Sequence, residues 1–125
     1  MEMKVSGSNL PRPVVAFGHI PLDDHLKQLM VRREYEKPTP IQAIALPAVM
    51  SGRDVVGIAK TGSGKTLAYV LPMIVHVSHQ ELAGKKEGPV AIVLAPTREL
   101  CQQIFLEAKK FGKHYGIRVC SLLGG

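Results

Sequence analysis

The sequence has few of the residues that stabilise secreted proteins. Cys101 and Cys120 are its only cysteines, and neither belongs to a CxxC pair or to a Cys/His cluster with metal-ligand spacing. Two free thiols in a reducing compartment are therefore expected. The N-terminus lacks the apolar core of a signal peptide. The longest apolar run, 67–77, contains Pro72 and is too short to cross a bilayer, so we expect no membrane partner.

Aromatic and acidic residues are also scarce. Phe, Trp and Tyr make up 5% of the 125 residues and Trp is absent, so the core is expected to be mainly aliphatic, which suits buried parallel strands. Ten acidic residues stand against sixteen basic ones, giving a net charge of +6. This charge favours a polyanionic partner, although simple solubility explains it equally well. The basic residues are scattered, and no polybasic tail forms.

Apolar periodicity and helix start signals predict helices that alternate with short strands. Residues 1–16 are predicted to form an extended arm because they are rich in Gly, Ser, Asn and Pro. Thr39 followed by Pro40 is a strong helix start. Helices are predicted from Pro21, over 39–50, over 65–77 and over 97–113, and strands over 55–59, 90–95 and 117–123. This alternation predicts an α/β fold with a doubly wound parallel sheet. Three strands make such a sheet incomplete, so we expect a truncated domain.

The segment GIAKTGSGKT, residues 57–66, has the features of a phosphate-binding loop. It follows a predicted strand and opens a predicted helix, which is the context that such a loop requires. Gly62 and Gly64 allow backbone amides to approach phosphate oxygens, and the helix N-terminus favours an anion. Lys65 supplies a positive charge, and the hydroxyl of Thr66 can bind Mg²⁺. The alternative is a flexible turn with a solvated lysine.

Two further segments each have two interpretations. In PTPIQ, the amide of Gln42 could read one edge of adenine. Thr39 and Gln42 also have the spacing of a capping box, which this segment alone favours. In APTREL, Thr97 and the first amides of a helix could bind a second anion beside Arg98. The alternative there is an N-cap with one solvated arginine.

Together, YEKPTPIQ, AKTGSGKT, PTREL and a terminal GG resemble the DEAD-box family of ATP-dependent RNA helicases, in that family's order and approximate spacing. Phe17, seventeen residues before segment 34–42, also fits the family pattern. Ala59, which departs from the generic loop pattern, is the family's usual residue. The resemblance implies that residues 17–125 form a partial first RecA-like domain. This domain contains a Q motif (34–42), a P-loop (59–66), PTREL (96–100) and GG (124–125). SGRD, GIAKTGSGKT and RELCQQI look most like splicing-associated branches.

The resemblance implies a role for each motif. Gln42 would read the adenine of ATP, with Phe17 and Tyr35 supporting or stacking near the base. The phosphates would be bound by Ala59, Lys60, Thr61, Gly62, Ser63, Gly64, Lys65 and Thr66. Among these, Lys65 and Thr66 would serve catalysis, and Thr66 would hold Mg²⁺. RNA would be bound, independently of base sequence, by Pro96, Thr97, Arg98, Glu99, Gly124 and Gly125. Ribonucleoprotein or spliceosome-type partners and a nuclear or cytoplasmic location, the nucleus slightly favoured, would follow.

One departure and one gap limit what this stretch is expected to do. Glu34 stands where the family usually has Gly, and we expect only a small effect on the turn before Tyr35. None of the ten acidic residues closes an apolar strand after the P-loop, where hydrolysis needs carboxylates. We therefore expect weak ATP binding and no hydrolysis from this stretch alone. The alternatives are a non-catalytic nucleotide- or RNA-binding module and another P-loop class, such as a nucleotide kinase or small GTPase.

Overall fold

The computed structural model describes residues 3–33, 35–62, 64–81, 84 and 87–125. It contains four α-helices: α1 (Asp24–Arg32), α2 (Pro40–Met50), α3 (Lys65–Ser78) and α4 (Arg98–Gly112). Short 3-10 helices cover Phe17–His19 and Lys113–Tyr115. All four predicted α-helices are confirmed, with ends that shift by up to three residues. The α-helices therefore lie where the sequence pattern predicts them, whereas the two 3-10 helices were not predicted.

Local capping bonds set where the helices begin. The α1 helix starts three residues after Pro21 because the side chain of Asp23 accepts a hydrogen bond from the Leu26 amide at 2.7 Å. The α2 helix has Pro40 in its first turn, where a missing amide proton costs nothing. The α4 helix begins after Thr97, whose hydroxyl accepts a bond from the Leu100 amide at 3.2 Å.

The three predicted strands are not confirmed. Segments 55–59, 90–95 and 117–123 have no regular secondary structure, and no β-strand occurs in the described residues. A strand is stabilised by a hydrogen-bonded ladder to a neighbour, and no ladder pairs these segments in the described part of the chain. Their apolar side chains are correspondingly exposed: Val56 is 92%, Ile58 89% and Leu94 90% exposed. The parallel sheet remains a prediction.

The chain forms two compact units, Met1–Pro72 and Met73–Gly125. In the first unit, the largest fully buried side chains are those of Ile20, Leu26, Met30, Leu46, Val70, Leu71 and Pro72. The second unit has a smaller core around Ile74, Ile104, Ala108 and Phe111. Phe17 and Phe111 are the aromatic residues among the buried apolar residues described, so the expected aliphatic core is confirmed.

Residues 3–16 contain no helix or strand, and the Val14 amide donates to the Ala43 carbonyl of α2 at 2.9 Å. The arm is thus hydrogen-bonded to α2 within the first unit. None of the helices in the described ranges has both the length and the apolar composition needed to span a membrane.

Candidate functional site

The glycine-rich loop leads directly into α3. Gly62 has φ +78° and Gly64 has φ +86°, in the left-handed region that side-chain-bearing residues avoid. Lys65 and Thr66 form the first turn of α3, which is anchored by the buried side chains of Leu67, Ala68, Val70 and Leu71. Ser63 lies outside the described residues. The loop is therefore shaped by its glycines and fixed by the buried face of the following helix.

The side chain of Lys65 spans the loop. Its Nζ donates to the Ala59 carbonyl at 2.6 Å, which joins the last and first parts of the P-loop, and the lysine is exposed. Lys60 and Thr61 are also exposed, and Thr66 is half-buried. An exposed ammonium group held by a single carbonyl can exchange that bond for one to an anion. This arrangement of Lys65 suits the binding of an incoming phosphate better than it suits a structural ion pair.

Gln42 makes two hydrogen bonds with its side-chain amide. Its Oε1 accepts from the Thr39 amide at 3.0 Å, which forms the glutamine half of the capping box. Its Nε2 donates to the Gly64 carbonyl, also at 3.0 Å. The Gln42 side chain is 3% exposed, and both bonds are partly buried. The glutamine half of the predicted capping box is confirmed, while adenine recognition stays a prediction.

The bond to Gly64 is the feature that sequence reasoning missed. It joins residues 22 positions apart, and no local pattern encodes such a contact. A Cβ at Gly64 would lie 2.3 Å from Gln42 Nε2 and 3.1 Å from Thr39 Oγ1. Thr39 Oγ1 is buried and makes no hydrogen bond to the described residues. Only glycine fits at this position, for reasons of both backbone angle and space.

The loop fits the phosphates of a nucleotide. A Cβ at Gly62 would meet no atom within 4 Å, so the side of the loop at Gly62 is open. The exposed Lys65 ammonium supplies the charge, and the first amides of α3, which have no partner within the helix, can act as donors. These are the groups that a di- or triphosphate requires.

The two predicted base-supporting aromatic residues differ in exposure. Phe17 is 6% exposed and lies in the short 3-10 helix, so its ring belongs to the core of the first unit. Tyr35 is half-buried, and its amide donates to the Met30 carbonyl at the end of α1 at 3.1 Å. Phe17 is therefore placed to support neighbouring elements. Glu34 lies outside the described residues.

The predicted RNA-binding residues come together in the second unit. Arg98 Nη2 donates to the Gly124 carbonyl, a contact between residues 26 positions apart. A Cβ at Gly125, which has φ +70°, would lie 4.0 Å from the same nitrogen. The capping role of Thr97 is confirmed by its bond to Leu100, but Arg98 is not simply solvated. Pro96, Thr97, Arg98 and Glu99 are exposed, so the pair of motifs forms an accessible surface.

The loop, its lysine and the buried glutamine are arranged as is typical of P-loop nucleotide-binding proteins. Residues 39–125 match the DEAD/DEAH box helicase family, and the chain belongs to this family. The resemblance identified from the motifs is thereby confirmed. Membership also removes nucleotide kinases and small GTPases as alternatives.

Relatives with established names resemble the chain over its whole length. It is 54% identical over 125 residues to DEAD-box ATP-dependent RNA helicase 24 of Oryza sativa subsp. japonica, and covers 16% of that protein. It is 46% identical to ATP-dependent RNA helicase DDX42 of Homo sapiens, again over 125 residues, and covers 13% of it. The chain thus spans about one-sixth or less of these relatives.

Two solved structures share its fold. The RNA helicase Prp28 from Chaetomium thermophilum, bound to ADP, superposes with a TM-score of 0.88 at 44% identity, covering 95% of this chain and 29% of that one. A DEAD box protein from Methanococcus jannaschii superposes with a TM-score of 0.66 at 33% identity, covering 80% of this chain and 26% of that one. The P-loop NTPase fold is confirmed by these likenesses, whereas the number and order of its strands stay predicted.

Proposed function

We propose that the chain is the ATP- and RNA-binding N-terminal segment of the first domain of an ATP-dependent RNA helicase. The observation that carries this proposal is the partly buried bond from Gln42 to the carbonyl of Gly64. It couples a side chain suited to reading a base directly to the loop suited to binding phosphates. The names of the relatives support the same activity.

At the phosphate end, the Lys65 ammonium leaves the Ala59 carbonyl and binds the outer phosphates of ATP. The loop amides between Ala59 and Thr66 bind the remaining oxygens. The Thr66 hydroxyl would hold Mg²⁺, which would offset part of the negative charge of the phosphates. Lys65 and Thr66 thus bind the reacting group, while water activation needs carboxylates that this stretch does not supply.

At the base end, Gln42 can read adenine without losing its present contacts. A side-chain amide has two N–H donors and an oxygen with two lone pairs. One donor serves Gly64 and one lone pair serves Thr39, which leaves one of each for the edge of adenine. Adenine offers a matching acceptor and donor side by side. Guanine presents a different pattern and would bind less well.

At the RNA surface, Arg98 binds the phosphate backbone beside the amides of Gly124 and Gly125. Phosphates carry no base information, so this binding is independent of sequence. Similarity to a protein described as the yeast DEAD-box splicing factor Prp28 supports ribonucleoprotein or spliceosome-type partners and a nuclear location. The substrate RNA would be selected outside the residues described.

RNA-stimulated ATP hydrolysis by the full-length protein tests the proposal. We expect Lys65→Ala to abolish both ATP-analogue binding and hydrolysis, because the mobile cation is lost from the loop. Lys113→Ala removes an exposed lysine at the end of α4 and should leave both unchanged. RNA and nucleotide binding without turnover in the unmodified protein would instead identify a non-catalytic module. Hydrolysis that survives the Lys65 change would contradict the assignment of the loop.

A further inference from the structure

The N-terminal arm, residues 3–16, is hydrogen-bonded to α2 and to the turn that follows this helix. Near the start of α2 the Val14 amide donates to the Ala43 carbonyl at 2.9 Å. Beyond its end, Arg53 donates through Nη1 to the Ser8 carbonyl at 3.2 Å and to the Asn9 carbonyl. The amide of Arg53 is itself bonded to the Ala48 carbonyl at 3.3 Å. The arm therefore spans α2 from its first turns to its C-terminal turn.

The arm follows a defined path between these points. Asn9 has φ +50°, a left-handed conformation that asparagine tolerates better than most residues. Gly7 has φ +149°, and a Cβ there would lie 2.9 Å from Leu10 Cδ2. Both positions have residue types that permit the observed backbone. The arm is thus built for its course rather than being a loose tail.

The α2 helix also packs against the P-loop. Ile41, Ala45 and Ala68 form a buried cluster, and Ala59 of the P-loop packs against it. A Cβ at Gly57 would lie 3.2 Å from Ile41 Cδ1, so Ile41 also presses on the chain entering the loop. The neighbouring residue of α2, Gln42, bonds to the loop's Gly64. Any displacement of α2 would therefore move both ends of the P-loop.

Met3 connects the arm to this support. Its side chain packs against the cluster of Ile41, Ala45 and Ala68, the same cluster that carries Ala59. The Ala59 carbonyl in turn accepts the bond from Lys65. A continuous series of contacts thus runs from the arm, through the cluster, to the residue that holds the P-loop lysine.

We infer that the arm is a structural part of the nucleotide site, in which Met3 and Arg53 act as positioning residues for the P-loop. This inference rests on the proposed binding of nucleotide phosphates by the loop. The arm fixes α2, and α2 fixes Ala59 and Gly64. Neither Met3 nor Arg53 is among the residues proposed to bind the nucleotide. Loss of either contact gives the loop more conformations, and a smaller fraction of them can bind phosphate. The apparent affinity for the nucleotide is therefore lower.

Binding of a fluorescent ADP analogue to the full-length protein tests the inference. Met3→Ser should raise the Kd by about three- to tenfold, a change typical of losing one modest packing contact. Met3→Leu restores an apolar side chain of similar volume and should restore the affinity. Val5→Ser is the matched control, because Val5 is an arm residue that is 47% exposed. Its affinity should equal that of the unmodified protein.

Arg53→Ala tests the second fastening point, with Arg33→Ala, another exposed arginine that follows a helix, as its control. Binding is measured at a temperature where circular dichroism shows each variant fully folded, so a general loss of stability does not alter the Kd. If Met3→Ser does not fold, Arg53→Ala decides the question alone.

Unchanged affinity in the folded Met3→Ser and Arg53→Ala proteins would overturn the inference, as would an equal loss in Val5→Ser. Failure of the unmodified protein to bind the analogue would instead overturn the proposed function. The two failures are therefore distinguished by the unmodified protein.

Discussion

Replacing Gly64 by alanine tests two requirements at this position. One is the left-handed backbone angle, and the other is the space occupied by the side chain of Gln42. Gly64 has φ +86°, and a Cβ there would come within 2.3 Å of Gln42 Nε2. Gly52, in the turn after α2, has a similar φ of +81°, but a Cβ there would meet no atom within 4 Å. Gly52→Ala therefore has the backbone strain without the collision. The pair of variants isolates the contact between Gln42 and the loop.

The expected magnitudes follow from these geometries. A left-handed residue with a Cβ costs about 1–2 kcal/mol, which applies to both variants. Both also lose the same unfolded-state flexibility of glycine, so that effect cancels in the comparison. At Gly64 the alanine methyl also displaces the Gln42 amide, which is 3% exposed. Leaving a buried amide or carbonyl without its partner costs about 1–3 kcal/mol more. Gly64→Ala should therefore be about 1–3 kcal/mol less stable than Gly52→Ala.

The assay is the free energy of unfolding from urea titration, with ADP-analogue binding measured in parallel. Gly64→Ala should lose stability and nucleotide binding together, whereas Gly52→Ala should lose only stability. Equal free energies of unfolding for the two variants would refute the argument that Gln42 fastens the loop. Retention of full ADP affinity by Gly64→Ala would refute the assignment of the loop itself.

Two further substitutions test the ends of the candidate site. Gln42→Ala should narrow the difference in Kd between ATP and GTP, because it removes the amide proposed to read adenine. The control variant Gln28→Ala, on the exposed face of α1, should leave that difference unchanged. Equal ATP and GTP affinity in the unmodified protein would remove Gln42 from this role. Arg98→Ala should weaken RNA binding evenly across RNA sequences. It should also reduce the slope of log affinity against log salt concentration by about 1. RNA titrations at several salt concentrations measure both effects. A loss confined to one RNA sequence would contradict a phosphate contact.

Helix positions were predictable because their signals are local. Thr97 and Pro40 lie at the starts of α4 and α2, as predicted. The Asp23 cap was not predicted, and it places the start of α1 three residues after the predicted Pro21. The glycine positions of the P-loop were predictable for a similar reason, since Gly62 and Gly64 adopt angles that other residues avoid. Such effects depend on bonds and dihedral angles that neighbouring residues determine on their own.

The predicted strands illustrate what local signals leave open. Val56, Ile58 and Leu94 have the apolar character of buried strand residues, yet they are exposed in the structure. A strand needs a neighbour for its ladder and a partner for its apolar face, and neither is encoded within the segment. Apolar composition therefore predicts where a strand belongs without supplying the contacts that form it.

By itself, the amino-acid sequence determined the helices, the left-handed glycines and the motifs that place the chain in its family. Only the tertiary structure decided that Gln42 bonds to Gly64, that Arg98 meets Gly124, and that Met3 and Ala59 share one cluster. The physical reason is distance along the chain. Contacts between residues more than twenty positions apart arise from the packing of whole elements, and no short stretch of sequence specifies them.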